Sequence, residues 1–393
     1  MIDRATTEAS LDGLASRLME TGALTSDWLP AYQTVPREQF VPDVMWPGEA
    51  VGTGQRDALD RNEDPVAWQE AVYSDVSLTT QWDDGRHSGK GKGKIPTCSN
   101  SQPQMVFSML AALDVHEGCR VLEVGTGTGW NAALLSERLG SDSVTTIELD
   151  SENAMDARRR IEAAGYSPHM LVGDGGDGHP DGAPYDRILV TASVNRIPPK
   201  LIRQLQPGGV LVAPYTTTYG GGAVLRLTRQ GNGTAHGPFV GSAAFMKLRQ
   251  HRVTRQHVRE YLGGVPWPAD GVKSMTRLSP EAVGDWLPMF VIGLQTIGMF
   301  PWMENYKDGS YTLWLRDEAV TSWATVDYIP GSETFEVYQA GRRDLWTEVE
   351  AAHAWWANSG RPDFPRLGLT VDPTSDLHVA WLNSPDCPLP TVV

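Results

Sequence analysis

Short apolar runs recur between residues 121 and 213, each followed by glycine or a polar residue and separated from the next by an amphipathic stretch. Val121, Leu122 and Val124 form the first, a run suited to a strand buried on both faces. The segment from Trp130 reads as a helix, and a second strand ends at Glu148. Met170 to Val172 is a third strand, and Tyr185 to Ala192 a fourth with polar residues at its carboxyl end. Leu201 to Leu205 reads as a helix that Gln206-Pro207-Gly208-Gly209 stops in a turn, before a fifth strand from Val210 to Ala213. Strands alternating with helices predict an α/β fold with a parallel, Rossmann-like sheet.

The flanks differ from this centre. Leu11, Leu14, Ala15, Leu18 and Met19 recur at helical spacing, and Gly22 ends the helix, which is expected to cover the sheet. Residues 46–94 show little apolar period and are expected as ordered loops with a mobile tip. Beyond about residue 255 come nine of the fourteen tryptophans. Tyr311 to Leu315, Thr334 to Tyr338, Leu367 to Val371 and His378 to Leu382 read as strands, and Leu345, Val349, Ala352 and Trp356 trace one face of a helix closed by Gly360. The expected organisation is therefore 1–100 as helix and active-site loops, 101–250 as the central α/β domain, and 251–393 as a tryptophan-rich α+β accessory domain.

The turn after the first strand carries candidate chemistry. Gly125, Gly127 and Gly129 let the backbone turn sharply and approach a ligand closely, and Glu148 follows about 20 residues on, where a carboxylate can accept both hydroxyls of a ribose. The spacing is GxGxG rather than the GxGxxG of dinucleotide enzymes. With an acid at the tip of the second strand, it is the arrangement of S-adenosylmethionine sites. Asp174, in Gly173-Asp174-Gly175, falls at the tip of the third strand, in reach of an adenine amino group.

Composition narrows the partners. A net charge of -15 argues against a general nucleic-acid binder, because the phosphate term would be repulsive over most of the surface. The three cysteines, Cys98, Cys119 and Cys387, have no metal-ligand spacing, so neither disulfides nor a metal is expected. The amino terminus has no basic lead with an apolar run, and no stretch is long and apolar enough to span a membrane, so a cytoplasmic protein is expected.

Val35-Pro36-Arg37-Glu38-Gln39-Phe40-Val41-Pro42, Ser101-Gln102-Pro103-Gln104-Met105, Val121 to Ala133, Gly173-Asp174-Gly175, Tyr185 to Ala192 and Pro207-Gly208-Gly209 together resemble the protein-L-isoaspartate O-methyltransferases, over residues 10–250. The resemblance implies a class I S-adenosylmethionine-dependent methyltransferase fold. It places the cofactor on Glu123, Gly125, Thr126, Gly127, Thr128, Gly129, Glu148, Leu149, Asp174, Gly175 and Thr191. Ser101 is the expected catalytic residue, since similar enzymes place a hydroxyl there to orient the accepting carboxylate; the alternative is a serine that starts the turn before Pro103. Ser99, Asn100 and Gln104 are expected at the substrate, with Gln104 where the family usually has histidine. The stretch from Pro42 to Ser101 is longer than is typical of that family.

Arg86 to Lys94, RHSGKGKGK, sets basic side chains in a glycine-rich run just ahead of Ser101. It is either a solvated loop or a clamp in which Lys90, Lys92 and Lys94 attract an acidic peptide. The carboxyl-terminal extension resembles that of longer relatives acting on ribosomally made peptides such as lanthipeptides, lasso peptides and graspetides. That likeness implies methylation of an aspartate in a macrocyclic precursor peptide, closure of the ester to a succinimide, and hydrolysis of this in some cases to isoaspartate. Two alternatives stand beside it, a general isoaspartate repair enzyme and a silent binding module. The intact glycines and acids of the cofactor turn speak against the second.

Overall fold

The computed structural model describes residues 4–48, 57–252 and 256–392. It divides into two compact units. The first comprises the chain up to Ala192 with Pro198–Ala213 and Thr228–Ala235, and the second Ser193–Ile197, Pro214–Leu227 and the chain from His236.

The first unit opens with helices α1 (Arg4–Glu20) and α2 (Leu29–Thr34). Leu14 and Leu18 of α1 are buried, as the helical spacing requires, whereas Met19, expected on the same face, is 45% exposed. Of the segment expected as loops, residues 49–56 lie outside the described residues, and the rest is instead a small structured layer. Strands β1 (Val44–Pro47) and β2 (Leu59–Asp60), helix α3 (Pro65–Val72), and strands β3 (Leu78–Trp82) and β4 (Pro96–Asn100) follow in turn. The strands pair antiparallel in the order β2-β1-β3-β4. Helix α3 is capped by Asp64, which accepts from the Ala67 amide, and Trp68 packs beneath it fully buried.

Helix α4 (Pro103–Leu113) leads into the parallel sheet, built by β5 (Val121–Val124), α5 (Trp130–Leu139), β6 (Val144–Glu148), α6 (Ser151–Ala163), β7 (His169–Val172), β8 (Tyr185–Val190), α7 (Pro199–Gln204) and β9 (Leu205–Thr216). The order β7-β6-β5-β8-β9 is that of an open doubly wound sheet. Its first register pairs are Val121 with Val144 and Val121 with Arg187. All four residues of β5 are buried, which fits a central strand covered on both faces. Helix α6 starts because Asp150 accepts from the amides of Glu152 and Asn153, and its Ala154, Ala157 and Ile161 form the buried stripe. The expected turn at Gln206 to Gly209 does not interrupt the chain. These residues lie within β9, with a register irregularity against Tyr185–Arg187 that absorbs the left-handed Gly208.

Next in chain order come β10 (Gly222–Arg229) and β11 (Ala235–Ser242), most of whose residues belong to the second unit, and then, within that unit, a short helix α8 (Val258–Tyr261), β12 (Val272–Thr276), α9 (Trp286–Gln295), β13 (Met299–Asn305), β14 (Tyr311–Asp317), β15 (Ser322–Tyr328), β16 (Phe335–Gly341), α10 (Leu345–Asn358), β17 (Leu367–Asp372) and β18 (Leu377–Leu382). The strands and helix read from sequence here are present, and β12, β13, β15 and α9 add to them. Strands β12-β16-β15-β14-β13 form an antiparallel sheet. Ile292, Leu315, Val326, Val337 and Val349 fill the core between one of its faces and helices α9 and α10. Trp314 and Trp323 lie on the other face, packed with Leu262. Of the tryptophans, Trp314, Trp323, Trp346 and Trp381 are buried, and Trp267, Trp286 and Trp302 are more than 40% exposed.

Strands β10 and β11 meet too closely at Gly237 for any side chain, since a Cβ there would overlap the Arg226 carbonyl oxygen. The obstacle is backbone and cannot rotate away. Gly237→Ala is therefore expected to destabilise the protein by about 3 kcal/mol, at the upper end of overpacking costs, with a fall of several degrees in Tm by calorimetry.

Candidate active site

The site lies in the first unit, outside the carboxyl ends of β5, β6, β7 and β8, where an open α/β sheet binds its ligands. Gly125, Gly127 and Gly129 have φ of 98°, 55° and 96°, values that only glycine adopts without strain. The close approaches explain the same choice. A Cβ on Gly125 would stand 2.6 Å from Thr191 Oγ1, and one on Gly129 2.9 Å from the Ile161 side chain. Gly175 is pressed against Val124 in the same way. Thr191 closes the turn by donating its hydroxyl to the carbonyls of Val124 (3.0 Å) and Gly125 (2.6 Å).

Glu148 ends β6 facing this turn. One carboxylate oxygen accepts from the Gly127 amide at 2.9 Å and the other from the Asp150 amide at 3.0 Å. Each oxygen keeps a second lone pair, so a pair of ribose hydroxyls could still be accepted. Burial raises the Glu148 pKa, and the backbone donors of Asp150 and Gly127 oppose that rise. Leu149 follows half-buried, and Asp174 holds the loop after β7 by accepting from the Gly176 amide at 2.9 Å. Glycines a Cβ would block, and a carboxylate with open lone pairs, fit a nucleoside-bearing cofactor.

Three residues expected at the cofactor have their side chains committed elsewhere. Glu123 is fully buried, accepting from Asn131 Nδ2 and Thr146 Oγ1, both at 2.6 Å. Thr126 is bonded to Thr146 Oγ1 at 2.6 Å, and Thr128 accepts from Asn100 Nδ2 at 3.0 Å. Their side chains brace the turn from behind. Desolvation raises the Glu123 pKa to about 7, against the lowering effect of its two hydrogen bonds.

Strand β4 delivers Ser99, Asn100 and Ser101 beside the turn, since a Cβ on Gly127 would touch the Ser99 carbonyl at 3.5 Å. Asn100 does not face a substrate. It is 1% exposed, its amide bonded to Thr128 and its carbonyl accepting from Arg37 Nε at 2.6 Å. Ser101 is half-buried, its backbone carbonyl held by Arg37 Nη2 at 2.8 Å, and its hydroxyl has no partner among the described residues. Gln104 lies exposed on the first turn of α4, where its amide is capped by Asp75 at 2.8 Å. Cys98 is buried, its thiol pushed up to about 12 chiefly by desolvation, as an inert packing residue requires.

Arg37 stood out in the sequence only as part of a motif. Its guanidinium is fully buried and donates to the carbonyls of Val72, Ser74, Val76, Asn100 and Ser101 besides the Asn100 side chain. It also lies over the Trp130 ring at 5.6 Å. Burial lowers its pKa to about 9, partly offset by Asp75, and it stays charged at neutral pH.

The basic run is not a loose tip. Lys90 is paired with Glu63, and its carbonyl accepts from Trp46 Nε1 at 2.9 Å. Asp83 accepts from the amides of Lys94 (3.0 Å) and Ile95 (2.9 Å). Lys94 is exposed and Lys92 half-buried.

A doubly wound sheet with this glycine turn and acid defines a class I methyltransferase fold. Residues 57–253 match the family model "Protein-L-isoaspartate(D-aspartate) O-methyltransferase (PCMT)". A protein-L-isoaspartate O-methyltransferase of Methylorubrum extorquens (strain PA1) is 35% identical over 246 residues, 63% of this chain and 90% of that protein. One of Thermococcus onnurineus (strain NA1) is 40% identical over 150 residues, 38% of this chain and 68% of its own. Among solved structures, a protein-L-isoaspartate O-methyltransferase aligns over 92% of this chain and 96% of its own, with a TM-score of 0.49 and 21% identity. The chain belongs to the protein-L-isoaspartate O-methyltransferase family, the carboxyl O-methyltransferases that use S-adenosylmethionine. Among the described residues no helix is long and apolar enough to cross a membrane.

The buried acid yields a pH prediction. Burial holds the Glu123 pKa at about 7 in the folded chain, above the ordinary glutamate value of 4.5. Its contribution to stability is therefore fully present below pH 4.5 and is lost as pH rises through about 7. Glu123→Gln keeps an acceptor for Asn131 and can donate to Thr146, which then donates to Thr126. The variant is expected to lose this part of the decline and to melt several degrees above the parent at pH 8 but not at pH 5, in thermal scans across that range.

Proposed function

We propose that this protein transfers a methyl group from S-adenosylmethionine to a side-chain or isoaspartyl carboxylate of a peptide, with isoaspartyl sites as the acceptor its relatives favour. The observation that carries this reading is the unpartnered Ser101 hydroxyl at the end of β4, beside a glycine turn whose Gly127 amide is locked to Glu148. The cofactor supplies an electrophilic methyl on a sulfonium. A carboxylate oxygen aligned by this chain would take that methyl, the electron pair of the broken C–S bond staying on sulfur. A carboxylate is ionised at neutral pH, with a reference pKa of about 3.9, so no general base is needed. What this chain contributes is alignment and the exclusion of water. Ser101 Oγ orients the accepting oxygen, Glu148 takes the ribose, and Asp174 and Leu149 take the base.

A second reading has its own support. Residues beyond 253 lie outside the family match and build a complete sheet-and-helix core, more than capture of one damaged residue needs. On this reading the acceptor is an aspartate in a macrocyclic ribosomal peptide, and the ester closes to a succinimide. A pre-cyclised chain loses less conformational entropy on docking. Mass spectrometry of parallel reactions separates the two. Turnover confined to linear isoaspartyl peptides supports repair, whereas methylation followed by methanol loss on a cyclic aspartyl peptide, with linear forms inert, supports tailoring.

Two variants test the residue roles. Ser101→Ala is expected to keep cofactor affinity within a few fold while single-turnover methyl transfer slows by one to two orders of magnitude, about 1.4 kcal/mol per tenfold. A parental rate would reduce Ser101 to a turn residue. Glu148→Ala is expected to weaken cofactor binding by at least tenfold in calorimetry, as charged hydrogen bonds contribute roughly 1.5–3 kcal/mol each.

A further inference from the structure

The face of the β12–β16 sheet turned away from α9 and α10 carries two cross-strand rows. Register places Trp302, Trp314, Thr325, Tyr338 and Lys273 side by side in one row, and Glu304, Thr312, Asp327, Glu336 and Met275 in the next. Alternation along each strand puts both rows on the same face.

At one end of this face the chain shows what the pattern binds. Lys273 Nζ stands 5.7 Å from the Tyr338 ring centroid and 2.7 Å from Glu336 Oε1, an ammonium held by a ring and by the carboxylate two residues before it on the same strand. Trp267 extends this end, its ring 5.0 Å from Tyr338 and its Nε1 donating to Thr325 Oγ1 at 3.3 Å.

At the other end β13 repeats the ring and the carboxylate in the same relative rows. Trp302 is 43% exposed, Glu304 is exposed with no ion-pair partner among the described residues, and Tyr306, 48% exposed, bonds Thr312 at 3.1 Å. Thr312 donates to Asp327, which adds a second carboxylate to the row at 2.6 Å. Between the ends Trp314 is 7% exposed with an unpartnered indole Nε1. Arg316, on the same face, is turned to the Tyr261 ring and the Gln256 carbonyl.

We propose that Trp302 and Glu304, backed by Asp327 and Tyr306, form a docking site for a lysine or arginine side chain of an extended peptide. The ring face takes the cation and Glu304 its charge, as Tyr338 and Glu336 do for Lys273. The site deepens the proposed function, resting on its reading that the ligand is a peptide, and adds that basic residues away from the methylated carboxylate contribute to recognition.

The test uses the full chain and a fluorescently labelled peptide with two lysines, beside versions carrying norleucine or glutamate at those positions. Anisotropy is expected to show binding of the lysine peptide that weakens with salt, and weaker binding of the other two. Trp302→Ala should reduce the affinity about fivefold or more, and Glu304→Gln about threefold, while Glu117→Gln, an exposed acid in the first unit, leaves it unchanged. Equal binding of the lysine and norleucine peptides, or binding indifferent to both substitutions, would overturn the site. Methylation of a short isoaspartyl peptide without basic residues is read separately. Its absence would count against the methyltransferase reading alone.

Discussion

A guanidinium without access to water fixes the reaction centre. Arg37 satisfies its donors on the carbonyls of two separate stretches, 72–76 and 100–101, and on the Asn100 side chain. Carbonyls rather than a carboxylate accept its hydrogen bonds, so the buried charge is solvated by fixed dipoles, with six acceptors for its five N–H donors. Asn100 carries the constraint onward through Thr128 into the glycine turn. The end of β4 and the cofactor turn are thereby held to one geometry by a chain of bonds that each lie between 2.6 and 3.2 Å.

This rigidity suits the chemistry. Methyl transfer to an already ionised oxygen leaves no proton for an acid or base to move, so the rate depends on in-line approach and on dry surroundings. On the role proposed for Ser101, its misplacement would cost more here than in a site that also had acid–base catalysis to draw on. The contrast between Ser101 and its neighbours follows. The Asn100 side chain is spent on Arg37 and Thr128, whereas the Ser101 backbone is clamped and its hydroxyl has no partner among the described residues.

The parallel sheet was legible because its strands are short apolar runs punctuated by glycine, and because the turn residues are dictated by local backbone geometry. Val121–Val124 and the positive φ at Gly125, Gly127 and Gly129 needed no distant partner to be recognised. The layer of β1–β4 was not legible. Its strands hold two to five residues, and Leu78-Thr79-Thr80-Gln81-Trp82 has no clean alternation, since a bulge against β4 breaks it. Side-chain commitments were hidden for a different reason. The partners of Asn100 and Thr126 are Arg37, 63 residues away, and Thr146, 20 residues away, and only the fold brings them together. A polar residue in a motif thus read as a ligand contact when it braces the backbone that makes the contact.

Glu123 shows why such bracing persists. An acid buried with two donors remains costly to ionise, and a hydrophobic residue of its size would relieve that cost. It would also leave Asn131 and Thr146 without an acceptor, and Thr146 is what holds Thr126 at the start of the turn. The Gly127 amide then keeps its aim at Glu148 only because the residues on either side of it, Thr126 and Thr128, are tied down from behind. The geometry of the glycine turn thus rests on side chains that bond one another and the neighbouring strands, directly after a strand buried along its whole length.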